Sequence, residues 1–192
     1  LTLKALDTDE RARVDAFIAL RAKWAATHNL SGPDALRDPW GVDIIDALAL
    51  ASVALTAVPL IDVGSGSGVP GLVYALLWPE RRVVLVEPLA KRSAFLRSAA
   101  ITLGLSNVRV ERQRWPLAEL TSECQVVSRA VYPVPEWPRA AALGGDAVTH
   151  IIRYLAAERP EFNVPGFCSA ASLDYAGPGG AQRRIERWTR PA

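Results

Sequence analysis

Between Asp9 and His28 the apolar residues Val14, Ala16, Phe17, Leu20, Trp24 and Ala25 recur at helical rather than alternating intervals. This spacing predicts an amphipathic helix with Thr8 or Asp9 as its N-cap and Trp24 in the core. After the turn-forming stretch Asn29 to Pro39, a second helix is expected from about Gly41 to Val58, apolar on most faces. From Pro59 the pattern becomes short apolar runs: Leu60 to Val63, Val83 to Val86, Val108 to Glu111, Val126 to Ser128 and Ala147 to Ile152. Helical stretches near Gly71 to Trp78, Ala90 to Leu103 and Pro135 to Leu143 fill the gaps. Such alternation predicts a doubly wound α/β domain, a mostly parallel sheet with helices on both faces. The tail differs, because Phe167 to Tyr175 and Gln182 to Thr189 flank Gly177-Pro178-Gly179-Gly180, a turn that predicts an antiparallel hairpin at the sheet edge. The expected organisation is a helical extension over residues 1–58, packed on one structural unit over 59–192.

Composition narrows the class. The chain has 192 residues, 50% hydrophobic and 22% charged, with a formal net charge of +2, the profile of one compact domain. Cys124 and Cys168 lack CxxC spacing and His28 and His150 lack partners at metal-ligand spacing, so no metal site is expected and both thiols are read as buried. The apolar stretch from Ala47 to Leu60 is broken by Thr56 and Pro59 and falls short of the roughly 18 residues of a membrane span. No membrane partner, no leader, a cytoplasmic location and a monomer are the expectations. The chain starts at Leu1 and contains no methionine, so a longer translation product is expected. Among the cationic residues only Lys4, Lys23 and Lys91 are lysine. Arginine suits phosphate and base edges, although a high-GC genome produces the same bias.

The strongest chemical signal is Asp62-Val63-Gly64-Ser65-Gly66-Ser67-Gly68-Val69-Pro70-Gly71, a buried strand entering a glycine-rich turn and then a helix. Glycines admit positive φ and let a ligand approach backbone, and the helix N-terminus offers free N–H groups. Gly66, Gly68 and Gly71 satisfy GxGxxG, and Glu87 ends the next strand, where an acid holds ribose hydroxyls. This pattern fits either a dinucleotide or S-adenosylmethionine. Asp62 favours the methyl donor, since a carboxylate beside the loop suits an amino-acid ammonium and gains nothing from a pyrophosphate.

These residues resemble a family, the small-subunit ribosomal RNA guanine-N7 methyltransferases called RsmG or GidB. Trp24 with Asn29-Leu30-Ser31 resembles its W…NLT/S segment, Ile44-Ile45-Asp46 its HIxDS helix, and residues 62–71 its DVGTGxGxPG loop. Leu85-Val86-Glu87, Leu89, Lys91-Arg92 and Phe95-Leu96 are similar to its LxDSxxKRxxFL block, and Ser128-Arg129-Ala130 to its SRA signature. The resemblance implies a class I S-adenosylmethionine-dependent methyltransferase fold, Rossmann-like, with the N-terminal helices before it. It further implies that Gly64 and Val69 line S-adenosyl-L-methionine, that Glu87 meets its ribose, that Arg114 and Trp115 flank the adenine and that Arg129 stands at the mouth shared by cofactor and substrate; Asp62, Gly66 and Gly68 join the cofactor-binding candidates from the loop itself. Trp115 stays open between cofactor stacking and packing. The chain departs from the pattern at Asp43, where the family has His, at Ala47, where it has Ser, and near Arg153, which only approximates its LKG lysine.

The implied substrate is ribosomal RNA or the small ribosomal subunit, methylated at a guanine N7. That nitrogen has an exposed lone pair, so positioning and desolvation rather than a general base are required. Asn29, Ser128 and Arg129 are the candidates to border the acceptor, and Lys91, Arg92 and Arg112 to meet RNA, with Arg183 and Arg184 further basic candidates. Asp43 is read as solvent-facing, Asp46 as a residue that could line the site, and Tyr132-Pro133-Val134-Pro135 as a rigid loop bounding it. Three other readings share parts of the pattern: a small-molecule N-methyltransferase, an RNA-binding module without activity, and a nicotinamide-dependent oxidoreductase. The last lacks a Tyr-x-x-x-Lys or His-based hydride-transfer set.

Overall fold

A computed structural model of the chain describes residues 2–26, 30, 32–162 and 164–191. Helix α1 spans Thr8–Ala25, and its N-cap is Asp7 rather than Thr8 or Asp9. Asp7 accepts from the Glu10 N–H at 2.8 Å while Glu10 accepts from the Asp7 N–H at 3.1 Å, a reciprocal capping box. The buried stripe of α1 is Glu10, Val14, Phe17 and Arg21, so a cation occupies a position on its inward face. Trp24 meets Phe95 edge-on with ring centroids 5.6 Å apart.

The stretch expected as turn contains a short helix α2, Pro33–Arg37. The second long helix is not one element. A π-helical turn over Trp40–Ile44 leads into α3, Ile45–Val53, and the chain leaves helical geometry at Ala54 with ψ 142°. Gln125 explains the early stop: its side chain accepts from the Leu55 N–H at 2.9 Å and donates to the carbonyls of Leu55 and Val58, both at 2.7 Å. Residues 54–58, expected to be helical, are therefore held open against the sheet by a buried amide.

The sheet follows the predicted alternation. Strands β1 (Leu60–Val63), β2 (Val83–Val86), β3 (Val108–Glu111), β4 (Cys124–Ser128) and β5 (Val148–Leu155) are parallel, and β6 (Cys168–Ala176) and β7 (Gln182–Thr189) complete the order β3-β2-β1-β4-β5-β7-β6. β7 runs antiparallel to both β5 and β6, as the glycine turn predicts. Helices α4 (Gly71–Leu77) and α5 (Ala90–Thr102) cover one face together with α1 and α3, where Phe17, Leu50, Leu72, Phe95, Ile152 and Ile185 form the larger core. Helix α6 (Trp137–Ala142) covers the other, around Trp137, Ile151, Ile61 and Val126. Cys124 is buried, its thiol pushed up to about 12 by burial, whereas Cys168 is exposed, contrary to expectation. Among the described residues no helix is long and apolar enough to cross a membrane. The chain reverses its winding between β1 and β4, which opens a crevice at the carboxyl ends of those strands.

Gln125→Ala removes three hydrogen bonds from a buried side chain to half-buried backbone and is expected to destabilise the fold by about 2–4 kcal/mol. Urea unfolding measures this directly. An unchanged midpoint would mean that the connection from α3 to β1 does not depend on the amide.

Candidate functional site

The loop after β1 is shaped by three left-handed glycines: Gly64 (φ 74°), Gly66 (φ 53°) and Gly68 (φ 87°). The N–H groups of Gly64 and Ser65 both donate to the Val86 carbonyl, at 2.8 and 3.1 Å, tying the loop to β2. A Cβ at Gly64 would lie 2.3 Å from Val131 Cγ2, and one at Gly71 would lie 2.6 Å from both Asp62 Oδ2 and Leu85 Cδ2. Gly66 differs: a Cβ there meets only the Gly64 carbonyl oxygen, at 3.7 Å, so the backbone lines open space.

Two buried carboxyls brace this loop. Asp62 Oδ2 accepts from the Gly71 N–H at 3.0 Å, while Asp62 Oδ1 has no hydrogen-bond partner among the described residues. Burial raises the Asp62 pKa to about 7, against the opposing pull of the Gly71 N–H and Ser65. Glu87 Oε2 accepts from the Gly66 N–H at 3.0 Å and Oε1 from the Leu89 N–H at 2.9 Å. Each Glu87 oxygen keeps a lone pair for a further donor.

A cleft of about 460 Å³ opens at the crevice. One wall is the glycine loop, Gly64 to Ser67 with Val69; the others are the Arg129-Ala130-Val131 turn, Tyr154 to Ala156, Tyr175 and Arg183, and the N-terminal segment through Leu30, Gly32 and Ala35. Arg129 is held on three sides. Its Nε donates to Asp46 Oδ2 at 2.6 Å, Nη1 to Asp43 Oδ1 at 2.8 Å and Nη2 to the Val42 carbonyl at 2.8 Å. Burial works against the charged form, but Asp46 and Asp43 raise the Arg129 pKa above its ordinary value. Asp46 Oδ1 also accepts from Arg183 Nη1 at 2.8 Å and the Tyr175 hydroxyl at 2.7 Å, and its backbone carbonyl accepts from the Tyr154 hydroxyl at 2.8 Å. Burial and the Asp46 charge raise both tyrosine pKa values, so both hydroxyls are neutral donors. Ala130 takes φ 57° beside Arg129, a left-handed conformation without glycine at the cleft wall.

The residues expected from the sequence divide sharply. Gly64, Gly66, Val69, Arg92 and Arg129 line the cleft, and Asp62, Gly68 and Glu87 lie outside its lining, the two acids bonded to the loop. Ser128 donates to the Val63 carbonyl at 2.8 Å and so staples β4 to β1. Trp115 donates from Nε1 to the Ala140 carbonyl at 2.8 Å and packs beside Gly144, contacts that support packing over stacking on a cofactor. Arg114 and Arg112 are exposed. Lys91 and Arg92, in the first turn of α5, have no ion pair among the described residues. Asn29 lies outside the described residues, as does His28.

Asp43 is not solvent-facing but 2% exposed, because Arg21 and Arg129 share its two oxygens. Arg153, buried on β5, pairs with Glu186 at 3.0 Å and stands over the Phe162 ring at 5.2 Å. The roles of Tyr154, Tyr175 and Arg21 went unread in the sequence. Tyr175 and Arg183 are direct cross-strand partners, so the predicted hairpin carried a signal for bringing them together.

A family model described as GidB, rRNA small subunit methyltransferase G, matches residues 10–142. The ribosomal RNA small subunit methyltransferase G of Methylobacterium nodulans is 34% identical over 141 residues, 71% of this chain and 66% of that one. The chain thus spans just under two-thirds of the length of the curated relatives it matches. Two solved structures show the same fold at low identity. A mutant of MtNAS in complex with S-adenosylmethionine superposes with TM-score 0.56 at 15% identity, covering 95% of this chain and 76% of that one. The precorrin-6Y C5,15-methyltransferase of Geobacter metallireducens does so with TM-score 0.51 at 13% identity, covering 76% and 87%. With the glycine loop, the Lys91-Arg92 pair and the Ser128-Arg129-Ala130 turn all inside the matched segment, this chain belongs to the GidB family on a class I methyltransferase fold.

Proposed function

We propose that the chain transfers a methyl group from S-adenosyl-L-methionine to a guanine N7 of small-subunit ribosomal RNA. The observation that carries this reading is the cleft where the glycine loop, the Arg129 turn and the C-terminal hairpin meet at the switch point of the sheet. Its residues fit the cofactor. Gly66 offers backbone beside open space, Glu87 keeps acceptor capacity for ribose hydroxyls, and Asp62 Oδ1 is a buried acceptor without a donor among the described residues. The bound donor supplies a methyl group on a positively charged sulfur, an electrophile open to in-line attack.

The chain's own work is binding, orientation and water exclusion. Gly64 to Val69 would hold the amino-acid end, with Asp62 and Glu87 fixing the loop from behind its backbone bonds. Arg129, locked by three acceptors, forms a rigid polar wall. The acceptor nitrogen needs no base, so no side chain here has to take a proton before transfer. Arg92 on the cleft and Lys91 beside it, both without an ion pair among the described residues, suit RNA phosphates, and Arg112 adds exposed positive charge. Ser128 acts through the sheet, and a role for Asn29 rests on the family resemblance alone.

Labelled S-adenosylmethionine offered to small ribosomal subunits, free ribosomal RNA and a small-molecule extract tests the reaction. Label in guanine N7 of the RNA is expected. Label confined to small molecules, or none at all, would overturn the RNA assignment.

The brace at Asp62 has its own signature. Its folded pKa of about 7 lies above the ordinary 3.8, so the folded chain holds this proton more tightly than the unfolded one. The resulting stabilisation is complete below the unfolded value and is lost as pH rises through the folded one. Asp62→Asn keeps an acceptor for Gly71 and cannot ionise. Relative to this variant, the parent is expected to lose stability between about pH 4 and pH 7, by up to roughly 1.4 kcal/mol per pH unit. Parallel stability profiles in denaturant titrations would contradict the assignment.

A further inference from the structure

We infer that Arg21 and Asp43 are positioning residues for Arg129, an arginine–carboxylate–arginine relay that sets the cleft guanidinium from the buried face of α1. Arg21 is 1% exposed and does not line the cleft. Its Nη1 donates to Asp43 Oδ2, its Nη2 donates to the Ala35 carbonyl at 3.1 Å, and its guanidinium stands 5.5 Å over the Phe17 ring. The other oxygen of Asp43 serves Arg129 Nη1 alone. Arg129's remaining anchors are the Val42 carbonyl, which also accepts from Arg183, and Asp46, which Arg183 and Tyr175 share. Asp43 is therefore the acceptor that binds Arg129 without being shared with the hairpin.

Folding stability does not account for the pair. A buried ion pair is commonly no better for stability than apolar residues of similar volume, because desolvation offsets the attraction. On α1 the buried stripe Val14, Phe17, Arg21 would pack more simply with an aliphatic residue at its last position. What Arg21 does there is neutralise Asp43 on the side away from the cleft, so that Asp43 can hold Arg129 without leaving an uncompensated charge inside. Asp43 thus meets the cleft wall through the oxygen that holds Arg129 and the buried face of α1 through the oxygen that holds Arg21.

The proposal rests on the methyltransferase reading for its kinetic readout only. The decisive variant is Arg21→Met/Asp43→Leu, which replaces the pair by apolar side chains. Three measurements apply to it: urea unfolding, arginine side-chain NMR with Arg129 assigned through Arg129→Lys, and steady-state methyl transfer to small ribosomal subunits. The expected result is an unfolding midpoint at or above the parent's and Arg129 Nη signals averaged by free rotation. The expected kcat falls about tenfold or more with KM for the subunit little changed. Restricted Arg129 signals in a folded double variant would overturn the relay. Averaged signals beside a parent that transfers no methyl group would uphold the relay and sink the methyltransferase reading instead. Should the double variant not fold, Asp43→Asn decides through the same signals: broadening is expected, and parent-like Arg129 resonances with parent-like kcat would overturn the proposal.

Discussion

The carboxylate of Asp46 is the point on which the architecture turns. It sits in the first turn of α3, 4% exposed, and receives Arg129 from the end of β4 on one oxygen and Arg183 and Tyr175 from the C-terminal hairpin on the other. Its backbone carbonyl holds the Tyr154 hydroxyl of β5. A carboxylate at this depth is tolerable only with its lone pairs filled, so the end of β4 and strands β6 and β7, all distant in sequence from α3, must arrive together at it. The N-terminal helices are thereby fastened to the far edge of the sheet across the cleft. Asp43 repeats the device one helical turn earlier, between Arg21 and Arg129.

The cleft inherits its chemistry from this arrangement. Its carboxylates, Asp43 and Asp46, are both spent on arginines, and Arg92 at the loop has no ion pair among the described residues. Opposite stands a loop whose backbone, through Gly66, is the open surface, braced by Glu87 and by a carboxyl at Asp62 that burial keeps partly protonated near neutral pH. A rigid cationic wall facing a backbone cradle suits orientation of two bound partners more than proton transfer. That division of labour matches the demands of an acceptor nitrogen that already carries its lone pair.

Much of this was legible in the chain. Alternation of short β-rich runs with helical spacing placed five parallel strands, and Gly177 to Gly180 announced the hairpin that closes the sheet. The loop and its acids were readable because backbone conformation constrains residue type directly: only glycine is comfortable at φ 87° beside Leu72. Buried charge was not readable. Local spacing makes Asp43 a surface residue, and only the tertiary meeting with Arg21 and Arg129 reverses that. Likewise the long apolar run after Gly41 has the composition of one helix, and a side chain some 70 residues away, Gln125, ends it at Val53. Trp115 was no more readable, since the bond from its indole N–H to the Ala140 carbonyl of α6 joins residues 25 positions apart.

Native-state hydrogen exchange on the parent and on Asp46→Asn tests the central claim most directly, because it reports opening segment by segment. If the Asp46 carboxylate fastens the hairpin to α3, the variant loses protection jointly in α3, β6 and β7, while β2 and α5 keep theirs. Parent-like protection in the hairpin of the variant, with loss confined to α3, would contradict the account.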